Sequence, residues 1–184
     1  MRKRILILGL IIILTPILAG LYGVIHDQLT YSISHEYYTK FKFQQFGLAE
    51  EGANCYFPDR LGAAFVGFLA TWWTGIPNRI ILGLVGLIHK DWRNMYRITI
   101  RSLLLTLIIA LVTGLIGLLY GRLFLIRSDL NWYFPDHLIY RTRFIMVGSM
   151  HNFSYLGGLI GLIIGIIYQT RQKRKTGGNK VYTP

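Results

Sequence analysis

A short polar group ends the first apolar stretch of this sequence, and it combines an imidazole with a carboxylate. The group contains His26, Asp27, Gln28 and Thr30. A histidine beside a carboxylate can act as a general base, relay protons or form part of a metal site. If the preceding helix continues, three of these side chains extend a face of small residues that ends at Gly23, and we expect them to point into a helix bundle.

A second polar group lies far along the chain, on another apolar stretch. His151, Ser154 and Tyr155 are spaced i, i+3 and i+4, so they share one face of a helix. Thr71 lies on the apolar stretch of residues 61–88, between these two, and is expected to line the same space. Ionisable groups at membrane depth are candidate functional sites. The spacing therefore predicts a polar pocket formed mainly by the first and last apolar helices.

The chemistry of this pocket has three interpretations at the sequence level. One is a buried pair of Asp27 and His151 that holds two helices together, and another is a group that binds a small molecule or moves protons. A metal could be held by His26 and His151 with Asp27 or Glu36, and two histidines can also bind haem. The sequence has no HExxH spacing and no nucleophile elbow, so it assigns no cofactor and no catalytic residue.

The composition of the chain indicates that membrane-spanning helices position the two polar groups. Apolar residues make up 53% of the 184 residues and charged residues only 15%, which excludes a disordered chain and is atypical of a soluble domain. We expect an all-α, integral membrane four-helix bundle within residues 1–170. The four predicted spans are residues 5–25, 61–88, 102–126 and 144–168. The predicted outer loops are residues 26–60 and 127–143, and residues 171–184 are predicted to form a disordered basic tail in the cytoplasm.

Two details of the spans follow from local sequence. The first apolar run has the basic start of a signal peptide, but it is long and lacks a good cleavage site, so we expect an uncleaved span. The second run contains Pro77, so it either crosses as one tilted helix or breaks at that proline.

The distribution of basic residues predicts the orientation. Twelve of the 20 Lys and Arg lie in the N-terminal segment, in residues 89–101 and in the tail, whereas the two longer loops hold six others together with seven of the eight acidic residues. The positive-inside rule then places both termini in the cytoplasm. The net charge of +12 is explained by this topology and by anionic lipid, and we expect no nucleic-acid partner because aromatic residues do not alternate with the basic ones.

Small residues recur on one face of every span, which favours close helix packing. The fourth span carries glycines at 157, 161 and 165. We expect such faces to pack within the chain, with a membrane-protein partner or a homo-oligomer as the alternative. The single cysteine, Cys55, excludes an internal disulfide.

The segment after the first span has two recognisable patterns. Ser34 followed by Glu36 is typical of a helix start, with the serine as the N-cap. The aromatic residues that follow predict a belt at the membrane–water interface, and they are Tyr37, Tyr38, Phe41, Phe43 and Phe46.

Several of these residues also form a family pattern. Residues 22–30 (YGVIHDQLT), 34–39 (SHEYYT) and 70–73 (ATWW) resemble a four-span family of bacterial inner-membrane proteins with the pattern YGxxHDQxT…SPEYFT…ATWW. His151 with Ser154 and Tyr155 resembles a His-x-x-Ser-Tyr element near the C-terminal end of the sequences in that family. The chain departs from the pattern at positions 35 and 38. The resemblance implies four spans and a bacterial inner membrane, and it implies no activity.

Overall fold

The computed structural model describes residues 2–50 and 53–178, and within these ranges all regular elements are helical. Three segments are long and apolar enough to cross a membrane, and they are built on α1 (Arg2–Ile33), α6 (Trp92–Leu123) and α7 (Arg141–Gly178). The expected all-helical class and membrane character are therefore confirmed.

The second apolar run is a broken helix. It consists of α4 (Asp59–Thr71), a 3₁₀ turn (Trp72–Thr74) and α5 (Gly75–Gly86). The two α-helices have 13 and 12 residues, so each is shorter than the roughly 20 residues that a membrane crossing needs. The break lies before Pro77, which instead occupies the first turn of α5, where a missing N–H is tolerated.

Polar side chains bond carbonyl groups around this break. The Thr74 hydroxyl donates to the Thr71 carbonyl at 2.6 Å, and the Asn78 amide donates to the Thr74 carbonyl at 2.9 Å. The Thr71 hydroxyl lies 2.8 Å from the Ala19 carbonyl, so it also links the break to α1. Irregular backbone in an apolar setting requires such bonds, because no water replaces the helical ones.

Close helix contacts hold the bundle together in two pairs. α1 packs against α4 where Gly23 meets Gly67, and a Cβ on Gly67 would lie only 2.2 Å from the Gly23 carbonyl oxygen. α6 packs along α7 through glycines of both helices, at positions 114, 117, 121, 157, 161 and 165. The glycine face of the last span is thus occupied within the chain, as expected.

A short folded stretch, residues 34–48, covers the end of the bundle where α1 ends and α7 begins, and we call it the cap segment. It contains α2 (His35–Tyr37), a π-helix (Tyr38–Lys42) and α3 (Phe43–Gln45). Tyr38 and Phe43 have no exposed surface and Tyr37 is 5% exposed. For these three residues the predicted interfacial belt is wrong, because the cap segment folds onto α1, α4 and α7 and buries their rings.

The last helix is longer than the apolar pattern predicts. α7 continues to Gly178, past the predicted end of the span at residue 168 and into the expected tail. Residues 179–184 of that predicted tail lie outside the described residues.

Candidate functional site

The two histidine-containing polar groups meet inside the bundle. His26 Nδ1 lies 3.0 Å and His151 Nε2 lies 3.2 Å from the same carboxylate oxygen, Asp27 Oδ1. The three side chains, which we call the His–Asp–His cluster, are only 4%, 2% and 8% exposed. Residues 124 positions apart in the chain therefore share one buried site.

Uninterrupted helices and one glycine bring these side chains together. α1 stays helical to Ile33, so His26 and Asp27 continue the small-residue face as predicted. On α7, the Ser154 hydroxyl lies 3.0 Å from His26 Nε2. A Cβ at Gly114 of α6 would approach that hydroxyl to 2.2 Å, so glycine provides the space that Ser154 needs.

The outer nitrogens of both imidazoles have partners, and for His151 the partner defines where the ring hydrogen lies. His151 Nδ1 lies 2.9 Å from the Val147 carbonyl, an acceptor only, so this nitrogen must carry the hydrogen. In a neutral ring the lone pair of Nε2 then points at Asp27 Oδ1, which also carries lone pairs. A positive species, either a proton or a metal ion, has to lie between these two atoms.

The second carboxylate oxygen of Asp27 remains unsatisfied. Asp27 Oδ2 is buried and has no hydrogen-bond partner within the described residues, and the same holds for the hydroxyl of the nearby Tyr22. Buried polar atoms without partners are costly, so they mark places where a water molecule, an ion or another ligand is expected to bind. The cluster is thus a partly satisfied polar network rather than a closed pair.

Aromatic rings from α1 and the cap segment enclose the cluster. Tyr37 stacks on His151 with 5.1 Å between ring centroids, and Tyr22 lies 5.7 Å from the ring of His26. Tyr38 bonds Thr30 at 2.6 Å between hydroxyl oxygens. Sequence reasoning missed Tyr22, although its position one turn before His26 was a usable signal, and it interpreted Tyr37 and Tyr38 as an exposed belt.

A cavity of about 480 Å³ extends from the cluster between α1, the broken helix, α6 and α7. The residues at one end are His26, Asp27 and His151, and most of the remaining wall is apolar. Trp73 and Leu159 line the cavity, and 53% and 59% of their surfaces are exposed. The cavity therefore reaches the lateral surface between the broken helix and α7.

The other predicted pocket residues fall into two groups. Thr71, Ser154 and Tyr155 line the cavity, whereas Thr30 is fully buried beside the cluster and is bonded to Tyr38. Gln28 points away, and its amide donates to the Arg60 carbonyl at 2.7 Å. Arg60 also donates to the Gln28 side-chain oxygen at 3.2 Å, so Gln28 joins α1 to α4 outside the cavity.

Glu36, the alternative carboxylate for a metal, has a different role. The Ser34 side chain caps α2 as predicted, accepting from the Tyr37 N–H at 3.4 Å. Glu36 accepts from Lys40 at 2.7 Å and from the backbone N–H groups of Ile139 and Tyr140. It fastens the cap segment to the loop before α7 and is not part of the cluster.

Burial acts on this carboxylate in the opposite direction to its positive and hydrogen-bonding partners. Burial raises the pKa of Glu36, but Lys40 and the two backbone donors outweigh burial and hold the pKa below its ordinary value of 4.5. Glu36 is therefore ionised at neutral pH.

The arrangement limits the chemistry that the cluster can support. The two imidazoles lie edge to face with centroids 4.7 Å apart, which leaves no room between them for a porphyrin plane. Ser154, His26 and Asp27 are connected in the order of a nucleophile, a base and an orienting acid. However, Ser154 lies within a continuous helix whose amides are already bonded, so its own N–H cannot form an oxyanion hole.

Comparisons of the chain with family models, with curated proteins and with solved structures find no match.

Proposed function

We propose that this chain is a four-span, non-enzymatic protein of a bacterial inner membrane that binds a small amphipathic molecule. The apolar part of the ligand occupies the cavity and its polar headgroup contacts the His–Asp–His cluster. The observation that carries the proposal is a cavity that is apolar along its walls, polar at one end and open at the side of the bundle.

The proposed topology places the cluster near the outer leaflet. α4 and α5 together form the remaining crossing, interrupted at Trp72–Thr74, and the excess of basic residues keeps both termini in the cytoplasm. α1 then ends, and α7 begins, at the outer surface. Membership of the family with the YGxxHDQxT pattern is part of this proposal, and residues 22–30, 34–39 and 70–73, which carry the pattern, support it.

The dimensions of the cavity favour a chain-like apolar group. Its volume of about 480 Å³ falls in the range of small-molecule pockets. Along α1 its lining extends from Thr15 to His26, which corresponds to ~16 Å at the helical rise per residue. A single acyl or isoprenoid chain is long and narrow enough for such a space.

Filling the cavity tests the proposal. Gly158 lines the cavity, and a Cβ at this position would have no neighbour within 4 Å. Gly158→Leu should therefore occupy the binding space without disturbing helix contacts. Binding would be measured by fluorescence titration of the purified protein in detergent with a dansyl-labelled undecanoic acid.

The matched control is Gly9→Leu, since Gly9 is also helical, has open space around its Cβ and lies outside the cavity. Wild type and Gly9→Leu should bind the probe saturably, and Gly158→Leu should weaken binding at least about tenfold. Equal affinity of all three proteins, or no saturable binding by the wild type, would contradict the proposal.

A further inference from the structure

We propose that the His–Asp–His cluster is a metal site in which His26, Asp27 and His151 bind a divalent transition-metal ion. Two histidines and one carboxylate are a known ligand set for Zn²⁺ and Fe²⁺ in sites that keep a position open for another ligand. One suitable atom of each residue lies within 4.8 Å of the other two. The assignment does not rest on the proposed lipid-binding function.

The distances within the cluster fit a shared ion. At the usual metal–ligand bond lengths, neighbouring ligand atoms around one ion are about 3 Å apart. Asp27 Oδ1 lies 3.0 Å from His26 Nδ1 and 3.2 Å from His151 Nε2. The ligand atoms of the two histidines lie within 4.8 Å of each other, so the rings would have to turn toward each other to bring all three atoms onto one ion.

The outer contacts of both histidines match those of metal ligands. A metal-binding imidazole donates its other N–H to a nearby acceptor, which fixes the ring. The Val147 carbonyl accepts from His151 Nδ1, and the Ser154 hydroxyl is placed to accept from His26 Nε2. When His26 Nε2 carries the hydrogen, both inner nitrogens are without hydrogens and face the carboxylate, and a bound ion then removes the lone-pair repulsion at both nitrogens.

The burial of Asp27 is consistent with a bound ion, and its second oxygen favours an ion over a simple pair of side chains. Asp27 is 2% exposed, and a buried anion requires a positive partner. Asp27 Oδ2 is buried without a hydrogen-bond partner within the described residues, which leaves it free to bind the ion as a second oxygen. The ion would carry one more positive charge than Asp27 neutralises, and the side of the cluster that faces the cavity provides the open position.

If the proposed ligand binding also holds, this excess charge selects an anionic headgroup such as a carboxylate or phosphate. The fatty-acid probe used above belongs to this class. Metal binding and probe binding can fail separately, because Gly158→Leu should remove the probe and leave the metal in place.

The experiment uses the full chain purified in detergent, stripped with a chelator and then incubated with Zn²⁺ or Co²⁺. After removal of free metal, elemental analysis should give one ion per chain. Bound Co²⁺ should show visible absorption bands of a nitrogen- and oxygen-ligated ion. His26→Gln, Asp27→Asn and His151→Gln should each weaken binding at least tenfold, whereas the exposed His35→Gln is the matched control and should bind as the wild type does.

Folding of each variant would be checked by circular dichroism and gel filtration. Asp27→Glu keeps the carboxylate and should retain the ion even if Asp27→Asn does not fold. The assignment is overturned if the wild type binds neither ion, or if folded cluster variants bind as much metal as His35→Gln. Labelling of Ser154 by a fluorophosphonate would also overturn it, because His26 Nε2 would then act as a base toward the serine.

Discussion

At the residue scale, the buried or site-forming polar side chains divide into those whose polar atoms have hydrogen-bond partners and those with an atom that lacks one. Gln28, Thr30 and Glu36 are satisfied by neighbours and tie elements together. Tyr22 and Asp27 keep buried atoms without a partner within the described ranges. Sequence reasoning found Asp27 from its position on the small-residue face, but it could not separate these two classes, because the partners lie far away in the chain.

Glu36 provides a test at this scale. Its carboxylate fastens the cap segment through three donors, and hydrogen bonds to a charged group contribute about 1.5–3 kcal/mol each. Because the pKa is lower in the folded protein, the stabilisation is complete above the ordinary value of 4.5 and is lost as pH falls through the folded-state pKa. Glu36→Gln should lower the melting temperature at pH 7, and the difference from wild type should shrink below pH 4.5.

Thermal unfolding in detergent across this pH range measures the effect. Glu50→Gln is the control, since Glu50 is exposed. A difference between wild type and Glu36→Gln that stays constant down to pH 3 would show that the carboxylate charge does not hold the cap segment.

At the scale of the elements, close backbone approach decides where the helices meet. α1 and α4 cross at Gly23 and Gly67, where neither position has room for a Cβ. The Gly23 and Gly67 faces could be read from the sequence, since small residues recur at helical spacing. The break at Trp72–Thr74 could not, because it lies before the proline and next to a contact between Thr71 and Ala19 of another helix.

Gly67→Ala tests the helix crossing. The new methyl group would lie 2.2 Å from the Gly23 carbonyl oxygen, so α1 and α4 must move apart, and overpacking of this kind costs about 1–3 kcal/mol. We expect a lower midpoint of SDS or thermal unfolding. Gly9→Ala, with no neighbour within 4 Å of the added Cβ, should leave the midpoint unchanged or raise it slightly.

At the scale of the whole molecule, apolar length and charge distribution carry most of the information in the sequence. They predict the all-helical membrane class, which the three long helices confirm. They do not predict that the cap segment becomes part of the core. That outcome depends on contacts such as Glu36 with Ile139, which join residues 103 positions apart.

The orientation of the molecule can be measured with single cysteines. Lys90 and Asp129 are exposed at opposite ends of α6, whose 32 residues span ~48 Å. In a background without the native Cys55, a membrane-impermeant maleimide should label Asp129→Cys in spheroplasts and should label Lys90→Cys only after lysis. The reverse pattern would invert the proposed topology, and equal labelling of both before lysis would contradict a crossing by α6.

The closed cap segment and the lateral gap together determine how a molecule enters the cavity. In the proposed topology, Tyr37 and Tyr38 lie between the cluster and the aqueous side, whereas Trp73 and Leu159 lie where the cavity would meet the hydrocarbon. The proposed ligand would then dissolve in the bilayer before it enters the cavity. Across a series of ligands, occupancy should follow their partition coefficients and the lipid-to-protein ratio, and not their total concentration in buffer.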